Sequence, residues 1–175
     1  MKQRSRFGSV NLFAMALSLA LSVACSRGGD AAKQQQTQTS SATNEKELSP
    51  PGRITISAAT ASSGPDSAAS VFDHDLQTTW NSGVFAPGWI QLDLGEPLTI
   101  SRVRLYTVQT PAGPTRHEIL GGLTPDSLTS LGALEGNTAD GQWLELQARA
   151  QARYVRVVTV KSPSWVGWRE IEIYK

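Results

Sequence analysis

From Arg53 to the C-terminus, short runs rich in Val, Ile, Leu, Thr and aromatic residues are separated by clusters of Gly, Pro, Asp and Ser every eight to fifteen residues. Runs of that length between turn formers predict β-strands. They fall at Ile54 to Ala59, Trp89 to Leu94, Ile100 to Tyr106, Arg116 to Gly121, Thr129 to Leu134, Trp143 to Leu146, Tyr154 to Val160 and Trp168 to Tyr174. Several alternate cleanly: Ile90, Leu92 and Leu94 lie on one face and Trp89, Gln91 and Asp93 on the other, so one face of each packs on a core. Only Ser67 to Phe72 reads as a short helical turn. About 120 residues in about eight antiparallel strands predict an all-β fold, a two-sheet β-sandwich or jelly roll.

The pattern before Arg53 is different. Leu12 to Val23 is apolar apart from Ser18 and Ser22, and it follows Lys2, Arg4 and Arg6. That run is too short to span a bilayer comfortably and reads as the core of a signal peptide over residues 1–24. The chain's one cysteine, Cys25, comes immediately after Leu21-Ser22-Val23-Ala24, a placement that resembles a bacterial lipobox with Ser22 where a large aliphatic residue is usual. A lone cysteine in an exported chain has no internal disulfide partner. Two readings follow: lipidation of Cys25 after cleavage, or an ordinary secretory signal that leaves a spare thiol. The first implies an exported protein held to the bacterial cell envelope by an N-terminal lipid anchor, with Ser26 pointing to the outer membrane.

Residues 25–52 are Gln, Thr, Ser, Ala, Lys and Glu with almost no large apolar side chains, ending at Pro50-Pro51-Gly52. Such a segment does not bury enough surface to offset the entropy of ordering, so it predicts a disordered tether spanning on the order of 30 Å. The folded domain is then 53–175. Without residues 1–24, which hold Lys2, Arg4 and Arg6, 13 of the 16 basic residues remain against 15 acidic ones over residues 25–175, a formal charge of −2. A faintly acidic domain lacks the electrostatic footprint of a nucleic-acid partner.

Within the domain, Asp73-x-Asp75-x-x-Thr78-x-Trp80 places two carboxylates at i and i+2 with a hydroxyl three residues on. By spacing alone this is either a turn whose aspartates cap local N–H groups or a loop whose oxygens suit calcium. That run, with Trp89-Ile90-Gln91-Leu92-Asp93-Leu94-Gly95, Ile100-Ser101-x-Val103-x-Leu105, Arg153-Tyr154-Val155-Arg156-Val157 and Glu170-Ile171-Glu172-Ile173-Tyr174, resembles the discoidin, or coagulation-factor C-type, domain and the family 32 carbohydrate-binding modules. The resemblance covers essentially all of 53–175. It implies a structural calcium held by Asp73, Asp75, Thr78 and Glu170, with Glu172 the alternative carboxylate. Here His74 stands where glycine is usual.

The resemblance also puts ligand loops at one end of the sandwich, corresponding to Asn81 to Pro87, Thr107 to Arg116 and Ser162 to Trp168. They offer Phe85, Gln109, Arg116, His117 and Trp165 as ligand-binding candidates, since sugar sites pair an aromatic face with a few planar hydrogen-bonding groups. Trp80, Trp89, Trp143 and Trp168 are expected in packing, and Arg116 and His117, adjacent on a strand, must face opposite ways. One cysteine and two histidines leave no nucleophile–base pair, so no catalysis is expected. Three binding readings follow: a glycan-binding lipoprotein first, a protein-docking module of an envelope complex second, and a phospholipid-binding module third, the last disfavoured by short loops and the absence of net positive charge.

Overall fold

The computed structural model describes residues 51–175. The signal segment, Cys25 and the tether up to residue 50 lie outside the described residues.

Among the described residues seven strands form: β1 (Ala58–Ala61), β2 (Trp80–Phe85), β3 (Gly88–Thr107), β4 (Gly113–Thr124), β5 (Ser127–Thr138), β6 (Trp143–Lys161) and β7 (Trp165–Tyr174), with one 3-10 helix at Pro65–Val71. All pairings are antiparallel. β3 and β6 are long, 20 and 19 residues, and each joins two of the runs predicted as separate strands. The Gly95-Glu96-Pro97 break has the composition of a turn, but there the chain bends without leaving its partner. Asp93 faces Tyr154 and Leu98 faces Ala152, so five steps along β3 run against two along β6. Gly95 makes the bend at φ 82, with its N–H held by Asp93 Oδ1 at 2.8 Å; a Cβ there would meet Ser57 Oγ at 2.8 Å.

That bend creates the two layers. The first half of β3 pairs with β1 and with the second half of β6, which continues to β4 and β5. The second half of β3 pairs with the first half of β6 and with β7, which continues to β2. Between them Ile90, Leu92, Val103, Leu105, Ile119, Val155, Ile171 and Ile173 are almost fully buried, each worth roughly 1.5–3 kcal/mol relative to exposure. The β-sandwich expected from the alternation is the one observed.

Two local departures matter for the site. The predicted strand over Ile54 to Ala59 pairs only from Ala58, while Ile54 and Ile56 are core residues outside the ladder and Ile54 N–H bonds Ile173 O at 2.7 Å. The predicted loop after Trp80 is instead the edge strand β2. Its Asn-Ser-Gly sequence has no strand signature, and pairing with β7 imposes the extended form. Trp80 and Trp168, facing partners across that pair, are buried. Trp80 Nε1 donates to the carbonyls of Gly64 and Ser63 (3.0 and 3.2 Å), which fastens the 3-10 helix to β2. Trp89 and Trp143 are half-buried beneath the guanidinium groups of Arg156 and Arg104, at 4.5 and 4.1 Å.

Candidate functional site

Beyond Trp80 and Trp168 the β2–β7 pair ends in an irregular stretch, where Phe85 stands opposite Trp165. Cross-strand partners project to the same side, and these two are 62% and 50% exposed, the most exposed aromatic pair facing each other in the described chain. They line a groove of about 410 Å³, completed by Asn81, Val108, Thr110 and the Pro111 and Pro163 rings. No charged side chain lines it. Asn81 accepts Gly83 N–H on Oδ1 at 2.9 Å, which fixes its amide and keeps the NH2 group for another partner.

Of the five ligand-binding candidates, the structure brings Phe85 and Trp165 together at this groove. Gln109 lies beneath it, buried. Its Nε2 donates to Pro111 O at 2.9 Å and its Oε1 accepts from Ser162 Oγ at 3.0 Å, while Ser162 Oγ takes Ser164 N–H. Gln109 therefore braces two groove-bearing loops against each other. Behind that brace Arg169 pairs with Asp140 (2.8 Å) and also holds Thr107 O, so both charges are engaged. The guanidinium beside Asp140 holds that carboxyl below its ordinary range.

Arg116 does not line the groove: its guanidinium is held by Glu135 (2.7 Å) and Glu118 (3.2 Å) on the outer face of β4. His117 points the opposite way, as strand alternation requires, and is buried. Its Nδ1 lies 3.0 Å from Thr159 Oγ1, its ring meets that of Trp168 edge-on at 4.8 Å, and burial pushes its pKa down to about 4. It lines a second, much smaller cavity behind the groove. Asn81, Val108 and Thr110 were not singled out by sequence reasoning, and no motif marks them; they join the site because β2 and the Val108–Pro111 loop meet there.

The Asp73–Thr78 loop is a separate feature. Thr78 Oγ1 is surrounded by acceptors: Asp73 Oδ2 (2.8 Å), Asp73 Oδ1 (3.0 Å), Asp75 O (2.9 Å) and, at 3.4 Å, Ser70 O. One hydroxyl proton satisfies one of them, so the cluster is richer in oxygen than in protons, which is the donor set a hard cation takes. Asp75 contributes its carbonyl; its carboxylate instead caps Gln77 N–H at 2.9 Å, and Asp73 Oδ1 caps Asp75 N–H. These two bonds are the local caps of the turn reading. His74 adopts φ 67, held there by its N–H and ring Nδ1 on the two oxygens of Glu170 (3.1 and 3.2 Å). Glu170 is buried, and desolvation pushes its carboxyl up to about 8. Glu172 is taken by Arg53, Arg104 and Tyr174. Among the described residues no group of three or more His, Cys, Asp or Glu side chains converges as a metal site, so any cation here would rely on hydroxyl and carbonyl oxygens beside Asp73.

The F5/8 type C domain family matches residues 54–172. Chitosan-binding module 1 of a chitosanase/glucanase from Paenibacillus sp. IK-5 is 33% identical, with TM-score 0.55 over 67% of this chain and 93% of that one. The CBM32 of AlyQ, in complex with 4,5-unsaturated mannuronic acid, aligns with TM-score 0.61 at 23% identity over 70% of this chain and 97% of that one. The family 32 module of C. perfringens NanJ, in complex with galactose, aligns with TM-score 0.60 at 16% identity, covering 71% and 98%. No curated protein matches the chain.

Proposed function

The chain belongs to the F5/8 type C domain family and has the fold of carbohydrate-binding modules, and from that premise we propose that it is a non-catalytic binding protein that takes a glycan in the Phe85–Trp165 groove. The observation that carries this reading is the facing aromatic pair, exposed at the open end of the sandwich. A pyranose offers an apolar C–H face for such rings and hydroxyls for Asn81, Thr110 and Ser164. Because no charge lines the groove, an uncharged sugar fits it better than a uronate or an amino sugar, whose charge would lose its hydration without a counter-charge. The ligands named for similar modules include mannuronic acid, chitosan and galactose, and only galactose is of the uncharged kind.

Calcium belongs to the same proposal. Asp73, Thr78 and the carbonyls of Ser70 and Asp75 would hold it, with Glu170 behind His74 as the nearby buried carboxylate. Bound there, it would stiffen the entry to β2 and take no part in chemistry. At the other end, residues 1–24 would direct export, Cys25 would carry the lipid, and the remainder of 25–52 would space the domain 53–175 from the outer membrane. Supporting this are the apolar run Leu12 to Val23, its basic flank and the position of the one cysteine.

The test is a glycan array followed by calorimetry on residues 51–175, which hold the whole core cluster of the described residues, with wild type and Trp165→Ala in calcium-containing buffer. Saturable binding of one sugar class, lost in the variant, is expected. Silence across the array from a folded domain would transfer the groove to a protein partner in the envelope, read out by pull-down competition with free glycan.

A further inference from the structure

Among the described residues, two buried side-chain nitrogens have no hydrogen-bond partner, His117 Nε2 and Trp168 Nε1. Both residues line one cavity of about 10 Å³. Their rings are in edge contact, so the two side chains that carry the orphan nitrogens border one small space. An indole or imidazole N–H left unpaired in the interior loses its water without recompense, which makes a partner in that space the economical arrangement.

The chemistry of the partner follows from the two nitrogens. Trp168 Nε1 only donates, so the partner must accept. His117 is neutral at ordinary pH because burial depresses its pKa to about 4. With Nδ1 bonded to Thr159 Oγ1, its Nε2 donates or accepts according to tautomer. A cation has no lone pair for the indole. An anion would have no counter-charge, since no ionised side chain lines the cavity. The threonine hydroxyls on its wall are already engaged: Thr107 with Ala139 O and Gln142 O, Thr138 with Thr115, and Thr159 with His117 itself. A hydroxyl oxygen accepts from the indole and serves either tautomer of His117, and the volume admits one group of that size.

We propose that this cavity is a hydroxyl-binding site, in which one oxygen is held between Trp168 Nε1 and His117 Nε2 directly behind Trp165. Two sources share that chemistry: an internal water, or a hydroxyl of the glycan reaching past the aromatic platform. Val108 and Trp165 line both the groove and the cavity, so one wall separates the two spaces. In the water case the site anchors the floor of the groove. In the glycan case it sets which sugar hydroxyl the groove accepts, and that case alone rests on the glycan-binding function proposed above.

The experiment is NMR on 15N-labelled residues 51–175, with the Trp168 indole resonance assigned by triple-resonance methods and checked by its loss in Trp168→Phe. In the free protein, a nuclear Overhauser cross-peak from Trp168 Hε1 to a long-lived water is expected. If the water is the permanent occupant, the cross-peak survives saturation with the glycan selected on the array. If the glycan hydroxyl takes the place, a ligand cross-peak replaces it and Trp168→Phe weakens binding roughly tenfold. A wild-type indole with no cross-peak to water or ligand would overturn the proposal. The wild-type spectrum decides even if the variant does not fold. Should no glycan bind, the water cross-peak still decides the cavity while the functional reading alone fails.

Discussion

Replacing Trp165 by alanine removes one wall of the groove and little of the core. Half of the residue is exposed, which for a side chain of this kind is about 100 Å². Covering all of it with a sugar at ~25 cal/mol per Å² would contribute about 2.5 kcal/mol, and covering one ring face about half that. The corresponding loss of affinity in Trp165→Ala is roughly 8-fold to 60-fold. The covered half of the side chain is lost as well, so the melting temperature should fall by several degrees, on the order of 5–10 °C, while the domain stays folded at 25 °C. Calorimetric titration at 25 °C with the glycan selected on the array, beside a thermal melt of both proteins, measures both quantities. Phe85→Ala should behave alike, being the more exposed partner across the same strand pair. With no charge in the lining, the dissociation constant should change less than about twofold between low and high salt. A Trp165→Ala protein that is folded at 25 °C and binds within twofold of wild type would refute the stacking argument, and a steep salt dependence would refute the reading of the groove as charge-neutral.

Three further predictions concern other parts of the molecule. Glu170, its carboxyl held up to about 8, loses stability as pH rises through the window above about 4.5, and against that opposite slope His117 contributes its own: its pKa is about 4 in the folded chain against an ordinary 6.5, so its contribution should be full above about pH 6.5, fall by up to about 3 kcal/mol as pH drops to 4, and level off below. His117→Phe should remove most of that slope in denaturant titrations across the window, and an unchanged slope would show that His117 is not its source. Calcium at a hundredfold excess over its dissociation constant should stabilise wild type by about 2.7 kcal/mol, and Asp73→Asn, which takes away the one carboxylate in the oxygen cluster, should abolish most of that shift in a melt with and without chelator. Cys25→Ser in the full chain should move the protein from the membrane fraction to the soluble exported fraction; equal partitioning of the two would remove the lipid anchor.

What the sequence determined by itself is what depends on neighbours along the chain. The alternation of Ile90, Leu92 and Leu94 against Trp89, Gln91 and Asp93 reports which way successive side chains point, and it carried the sandwich, the core faces and the opposed directions of Arg116 and His117. The Asp73-x-Asp75-x-x-Thr78 spacing likewise defined the oxygen-rich loop, because its contacts span eight residues or fewer. The tertiary structure decided everything that depends on which strand lies beside which. A turn-like Gly-Glu-Pro became a bend inside β3 because β6 bends with it, and a polar Asn-Ser-Gly became β2 because β7 offered an open edge. Arg116, chosen for its guanidinium fork, went to Glu118 and Glu135, since β5 brings the second of those carboxylates alongside. Gln109 became a brace and His117 a buried neighbour of Trp168. Only Phe85 and Trp165 kept the exposure that a ligand needs, because they meet beyond the last core pair of β2 and β7, where the sandwich no longer has a second layer's worth of side chains to cover them.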